Sequence, residues 1–193
     1  GAFYESFDAG YAEELRKTFD LNPKQKVKSL SRGQLARVGL ILALAHRPDL
    51  LLLDEPSSGL DPVVRRDILA AIIRTVADEG RTVVFSSHLL DEVQRVSDNV
   101  AMVHGGKQLL TAPVEEVLQN HVRMTVRFES PRETPPKLES ALSCHGDGAE
   151  WTVLCNGQRE AVRREVEQLK GEIVDEVSPT LDEIFVAKIG GKT

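Results

Sequence analysis

Leu50-Leu51-Leu52-Leu53, followed at once by Asp54, Glu55 and Pro56, constrains this chain more than any other stretch. A short uninterrupted apolar run reads as a strand covered on both faces within a parallel sheet. The two acids then fall at the strand's carboxyl end, the edge where open α/β sheets hold their ligands. Paired carboxylates beside a buried strand are costly unless something cationic faces them. Side chains alternate along a strand, so Asp54 and Glu55 leave in different directions and can do different jobs. One can face a metal while the other faces a water.

The flanking segments supply partners for that edge. Ser31 and Gln34 have the S-x-x-Q spacing of a capping box, which opens a helix whose expected buried face is Leu35, Val38, Leu42 and Ala45, with Pro48 as its stop. Taken alone this is an ordinary capped helix. Gly33, lacking a side chain, also leaves the helix end open to an approaching anion. Asp61-Pro62 is an N-cap with proline at the first helical position, opening a helix to about Asp78 that Gly80 ends. Thr82 to Phe85 is a second short buried strand, and Ser86-Ser87-His88 leaves its carboxyl end. If the two strands are parallel, His88 shares an edge with Asp54 and Glu55 and becomes a candidate ligand sensor. Upstream, Tyr11, Leu15 and Phe19 mark an amphipathic helix ended by Asn22-Pro23. Lys24, Lys26 and Lys28 follow as a basic turn, either solvated or touching phosphate.

Further on, Leu89, Val93 and Val96 outline a helix. Val100–Val103 and Lys107–Leu110 form a hairpin about Gly105-Gly106, and Pro113 to Gln119 is a short helix that closes a first domain at about residue 120. Residues 121–193 read as a separate small α+β unit. It has strands at Arg123–Phe128, Trp151–Cys155 and Ile173–Val177, a proline-rich linker at Ser130–Lys137, and helices at Arg159–Leu169 and Thr180–Ala187. No chemistry is recognisable in it. The net charge of −6 and pI near 5.4 disfavour nucleic acid as a partner. The longest apolar run, Val38 to Ala45, is too short to span a bilayer. The N-terminus lacks a basic region, so no secretory leader is expected, and Gly1-Ala2 reads as a protease scar or an artificial chain edge. Cys144, with His145 beside it, and Cys155 are expected to be reduced thiols, not metal ligands.

Four of these blocks carry a family resemblance. Leu30-Ser31-Arg32-Gly33-Gln34 is similar to the signature motif of ABC-type ATPases, with arginine where glycine or lysine is commoner. Leu50 to Glu55 resembles the Walker B strand with its catalytic glutamate, Ser58-Gly59-Leu60-Asp61 the D-loop, and His88 the switch histidine. The order of the blocks also fits. The match runs from residue 3 to about 119, and the stretch from Phe3-Tyr4 to Leu60-Asp61 further resembles bacterial ABC-2-type exporter subunits.

The resemblance implies an α/β fold: a partial P-loop NTPase (ABC ATPase) domain with a helical subdomain segment in residues 1–120, and a small C-terminal α+β accessory domain in 121–193. It implies ATP and Mg²⁺ as cofactors. Asp54 would hold the metal, while Glu55 and His88 would be catalytic. Ser31, Arg32, Gly33, Gln34 and Asp61 would act on a nucleotide sandwiched between two protomers. The implied partners are a second ATPase subunit, as a homodimer, and an integral membrane permease. The implied location is cytoplasmic, peripheral on the inner face of the cell membrane.

One departure matters. A phosphate-binding P-loop should read G-x-x-x-x-G-K-[ST] between a strand and a helix. Gly191-Lys192-Thr193 fails because Val186 holds the first glycine position and no helix can follow; Gly106-Lys107 fails because Gln108 comes next. In the family the P-loop and Q-loop precede everything found here, so the chain is expected to be the C-terminal part of a longer protein and inactive alone. Two other functions compete: a non-transport ABC-type ATPase of translation or DNA repair, and a non-enzymatic assembly module. The first lacks support from duplicated cassettes, long coiled coils or basic surfaces.

Overall fold

The computed structural model describes residues 6–77 and 80–190. Gly1-Ala2, Phe3-Tyr4, Asp78 and Gly191-Lys192-Thr193 lie outside the described residues. The chain forms two compact units that divide between Glu92 and Val93.

In the first unit, α1 (Ala9–Thr18) is capped by Asp8, whose carboxylate accepts the Tyr11 N–H at 2.9 Å, and it buries Tyr11 and Leu15. A single 3₁₀ turn, Val27–Ser29, leads to α2 (Arg32–Leu44). The expected helix is present, but the buried residues are Leu40, Ile41, Leu44 and Ala45, while Leu35 and Leu42 are exposed. From Ala36 onward α2 is apolar nearly all round, so periodicity could not select the inward face. Next come β1 (Leu50–Leu53), α3 (Pro62–Ala77), β2 (Thr82–Phe85) and the start of α4 (Leu90–Val96).

Strands β1 and β2 pair in parallel, in register from Leu50 opposite Thr82 to Leu53 opposite Phe85. That register places Asp54 and Ser86 at the same sheet edge. Coverage on both faces is not found. Leu51 is 5% exposed, whereas Leu50 and Leu52 are 52% and 68% exposed and Val84 is open as well. Paired residues of a parallel ladder share a face, so Leu50, Leu52 and Val84 form one apolar patch on a sheet of only two strands among the described residues.

In the second unit, β3 (Asn99–His104) and β4 (Lys107–Pro113) form the expected hairpin, with a bulge between Met102 and Val103, and α5 (Val114–Asn120) follows. An antiparallel sheet has the order β6-β5-β7, from β5 (His121–Arg132), β6 (Ala141–Asn156) and β7 (Gly171–Val177). Helix α6 (Arg159–Gln168) sets Val162 and Val166 against Met124, Val126, Trp151 and Val153. The last helix, α7 (Leu181–Gly190), starts with a second capping box, Thr180 and Glu183. Two expectations are corrected here. Strand β5 runs into the supposed linker because Arg132 still pairs with Gly148, and β6 begins ten residues before Trp151. The polar, glycine-bearing run Ser143–Gly148 hides the alternation that marks a strand. Among the described residues no helix is long and apolar enough to cross a membrane.

Candidate functional site

The first unit gathers its acids and histidine through Ser86. The Ser86 N–H donates to the Leu53 carbonyl at 2.9 Å, extending the parallel ladder one step past β1. The Ser86 hydroxyl donates to Asp54 Oδ1 at 2.5 Å and accepts the Glu55 N–H at 2.9 Å. Glu55 sits at φ 47, the left-handed region, which costs a residue with a side chain about 1–2 kcal/mol. The hydrogen bond from its amide to Ser86 offsets part of that cost. The chain therefore turns sharply between the two acids and sends them apart. Asp54 faces Ser86, and Glu55 Oε2 meets His88 Nδ1 at 2.8 Å, a contact that becomes an ion pair when the imidazole is protonated. Asp54 Oδ2 and Glu55 Oε1 take no hydrogen bond among the described residues.

Ser31, Arg32, Gly33 and Gln34 form the amino end of α2. The capping box closes in both directions: the Gln34 N–H donates to Ser31 Oγ at 3.2 Å, and the Ser31 N–H donates to Gln34 Oε1 at 2.9 Å. Both side chains are thereby engaged with each other. Among the described residues the Arg32 and Gly33 amides have no acceptor, as expected of a first helical turn. The missing side chain of Gly33 is not aimed at open space: a Cβ there would lie 2.8 Å from a Val64 methyl carbon. Gly33 thus lets α2 approach α3. Arg32 lies over the turn after β1, its Nη2 3.4 Å from the Ser58 carbonyl. At Gly59, φ is 65, a backbone conformation that favours glycine, and a Cβ there would sit 2.7 Å from that guanidinium, which would have to move aside.

Asp61 caps α3, its Oδ1 accepting the Val63 and Val64 N–H groups at 3.0 and 3.1 Å. Pro62 occupies the first helical position, as its fixed φ favours. A cavity of about 300 Å³ is lined by Arg32, Leu40, Asp54, Glu55, Ser58 and Ile68, among others. The fold thus unites Asp54, Glu55 and His88 on one edge and brings Arg32 to the same cavity as the acids. It does not join Ser31 or Gln34 to them by any hydrogen bond among the described residues.

Sequence reasoning missed three members of this region. Ser86 was passed over beside the more conspicuous Ser87-His88. Ser57 and Glu92 are buried and bonded to each other, Ser57 Oγ donating to Glu92 Oε2 at 2.6 Å. A usable signal existed for Glu92: it follows Leu89 by three positions, on the apolar side of its helix pattern. No described group of three or more His, Cys, Asp or Glu residues could cage a metal.

Comparisons with known proteins show what the chain as a whole is similar to. A family model described as "AAA domain, putative AbiEii toxin, Type IV TA system" matches residues 17–93. In fold, the chain is similar to "an inward-facing conformation of a putative metal-chelate type ABC transporter", with a TM-score of 0.52 at 21% identity, covering 62% of this chain and 52% of that one. The chain thus shares a mixed α/β fold with part of that structure. Two curated proteins of Bacillus subtilis (strain 168) narrow the class. The ABC transporter ATP-binding protein YtrB is 28% identical over 189 residues, 98% of this chain and 65% of YtrB. The ABC transporter ATP-binding protein NatA is 34% identical over 110 residues, 56% of this chain and 44% of NatA. The chain is a relative of the ATP-binding proteins of ABC transporters, and it spans less than two-thirds of the length of either one.

Proposed function

We propose that this chain is part of the ATP-binding and ATP-hydrolysing subunit of an ABC export system that works with a separate membrane permease. The observation that carries the proposal is the single sheet edge holding Asp54, Glu55 and His88, with Ser86 fixing the turn between the two acids. Phosphoryl transfer to water needs charge neutralisation and an oriented nucleophile more than covalent chemistry. Asp54 fits a role as one carboxylate toward Mg²⁺, since Oδ2 takes no hydrogen bond among the described residues and that ion keeps most of its ligands as water and phosphate. When bound, Mg²⁺ and ATP supply the charge neutralisation and the transferable group. Glu55, through the Oε1 that takes no hydrogen bond among the described residues, would orient the attacking water or accept its proton. His88 would contact the terminal phosphate and report its presence.

The amino end of α2 is the complementary half-site, facing a nucleotide held by a second copy of the subunit. Its Arg32 and Gly33 amides and its positive helix end suit an anion, while Ser31 and Gln34 hold that end in shape. Asp61 communicates across the interface. On this reading residues up to about 120 are the cassette part and 121–193 an accessory domain, and the subunit works at the inner face of the cell membrane.

The open Leu50–Leu52–Val84 face supports a second reading for the 193-residue chain by itself: an assembly module without turnover. ATP binding and hydrolysis measured on this chain, and on one extended at its amino end to the length of its relatives, separate the two. We expect little activity from the first and Mg²⁺-dependent turnover from the second. Glu55→Gln should lower that turnover by about 10²–10⁴-fold, the usual contribution of general-base catalysis. An extended chain that hydrolyses ATP equally well with Glu55→Gln would sink the assignment. Co-purification with a membrane protein would support transport over translation or repair.

A further inference from the structure

Glu92 is a carboxylate with 2% of its surface exposed, a placement that is costly unless the charge is both paired and hydrogen-bonded. Its two oxygens serve two separate segments. Oε2 accepts the hydroxyl of Ser57, itself 1% exposed and two residues beyond Glu55. Oε1 faces Arg65 Nε, in the first turn of α3, at 3.1 Å as an ion pair without hydrogen-bond geometry. Arg65 Nη2 also lies 3.4 Å from the Leu60 carbonyl, and the Arg65 N–H donates to the Asp61 carbonyl at 3.0 Å. Glu92 itself stands four residues after His88, its N–H donating to the Leu89 carbonyl at 3.0 Å. Three pieces of chain therefore meet on one buried carboxylate: the loop that carries Glu55, the start of α3, and the segment that carries His88.

The contact these segments flank cannot hold itself. Glu55 and His88 are 36% and 62% exposed, and ion pairs open to water contribute little to fixing geometry. The Ser57–Glu92 hydrogen bond is buried, charge-assisted and poorly screened, so it can impose a separation that the exposed pair merely occupies. We propose that Glu92 is a positioning residue: through Ser57 on one side and its own helix turn on the other, it sets the distance between Glu55 and His88. Ser86 fixes the backbone at the start of the turn, and Glu92 fixes the same loop past its apex. The chemical meaning of this role rests on the reading of Glu55 and His88 as the hydrolytic pair; the geometric role does not.

The test uses this chain without nucleotide. Imidazole ¹⁵N resonances of His88, assigned with His88→Gln, report whether Nδ1 is bonded to Glu55, and Glu55→Gln gives the position of the broken state. Glu92→Gln and Ser57→Ala are each expected to move the His88 Nδ1 resonance at least half of the way to that position. The double variant should move it little further, because both changes cut one path. Thr75→Val removes a buried hydroxyl that donates to Ala71 O elsewhere on α3 and should leave the resonance in place. Ser57→Ala keeps the Arg65–Glu92 pair and so reports even if Glu92→Gln fails to fold. A lowered thermal midpoint with an unmoved His88 resonance in Ser57→Ala would overturn the proposal, leaving the network as structural glue. An inactive extended chain would sink the hydrolytic reading and leave this result standing.

Discussion

Adjacent leucines on β1 offer a sharp test of the fold. Leu51 is 5% exposed and Leu52 68% exposed. Leu51→Ala removes buried methyl groups from the side of the sheet that is covered, and leucine truncations in such sites cost about 2–5 kcal/mol. Full burial of a leucine is worth about 1.5–3 kcal/mol, and Leu52 hides only about a third of its surface. Some 0.5–1 kcal/mol is therefore at stake in Leu52→Lys, and the lysine stem recovers part of it by lying along the same apolar surface. The expected cost of Leu52→Lys is thus about 0.5 kcal/mol. Urea unfolding followed by circular dichroism measures both variants, provided the m-value is unchanged. A Leu52→Lys cost equal to that of Leu51→Ala would refute the open face. In a chain extended to the length of its relatives, further strands and helices are expected to cover this face. Leu52→Lys should then cost several kcal/mol, since it would bury a charge.

Three further outcomes follow from named contacts. Asp61→Ala frees the Val63 and Val64 amides at the start of α3 and should cost about 1 kcal/mol, read from the same urea curves. Burial pushes the Cys144 thiol up to about 11, and burial raises that of Cys155 as well. At pH 7 roughly one Cys144 in ten thousand is thiolate, so alkylation by iodoacetamide should be slow until urea exposes the thiols; fast labelling of the folded chain would contradict this. His121 is held below the ordinary histidine range, first by burial and then by Lys188, against the opposing effect of its contact with the Val117 carbonyl. A depressed folded value means stability that is complete above the unfolded value of about 6.5 and is lost as pH falls through the folded value. The unfolding midpoint of the second unit should drop on acidification below about pH 6.5, and more steeply than in His121→Gln.

Where the sequence was readable, the responsible contacts lie within a few residues of one another. The Ser31–Gln34 box, the Asp61-Pro62 helix start and the Gly105-Gly106 hairpin are each decided by partners no more than about four positions away, so the residue pattern alone determines them. The bounds of β1 and β2 were legible for the same reason: punctuation by Pro48, Asp54 and Gly80 is local. The inward face of α2 was not, because a helix apolar all round is oriented only by what packs on it. The start of β6 was hidden by Gly146 and Gly148, which carry no side chain to alternate. Ser86, Ser57 and Glu92 were missed because each is defined by a bond to a residue more than 30 positions away.

That division between local and distant contacts also explains how an exposed site can be well formed. Glu55 occupies an unfavourable backbone conformation, beside a histidine that is mostly in water, at the edge of a sheet of two strands among the described residues. None of these features is self-sustaining: strained backbone persists only where its surroundings over-determine it, and solvent competes with the carboxylate–imidazole contact. The stabilising contacts come from one layer further in. Ser86 satisfies the strained amide, the capped start of α3 anchors the end of the turn, and Arg65 with Glu92 closes the loop from below. Arg32 over Gly59 adds a tie from α2 to the same turn. Glu55 and His88 can therefore stay open to solvent because neighbouring residues hold the turn between them in shape.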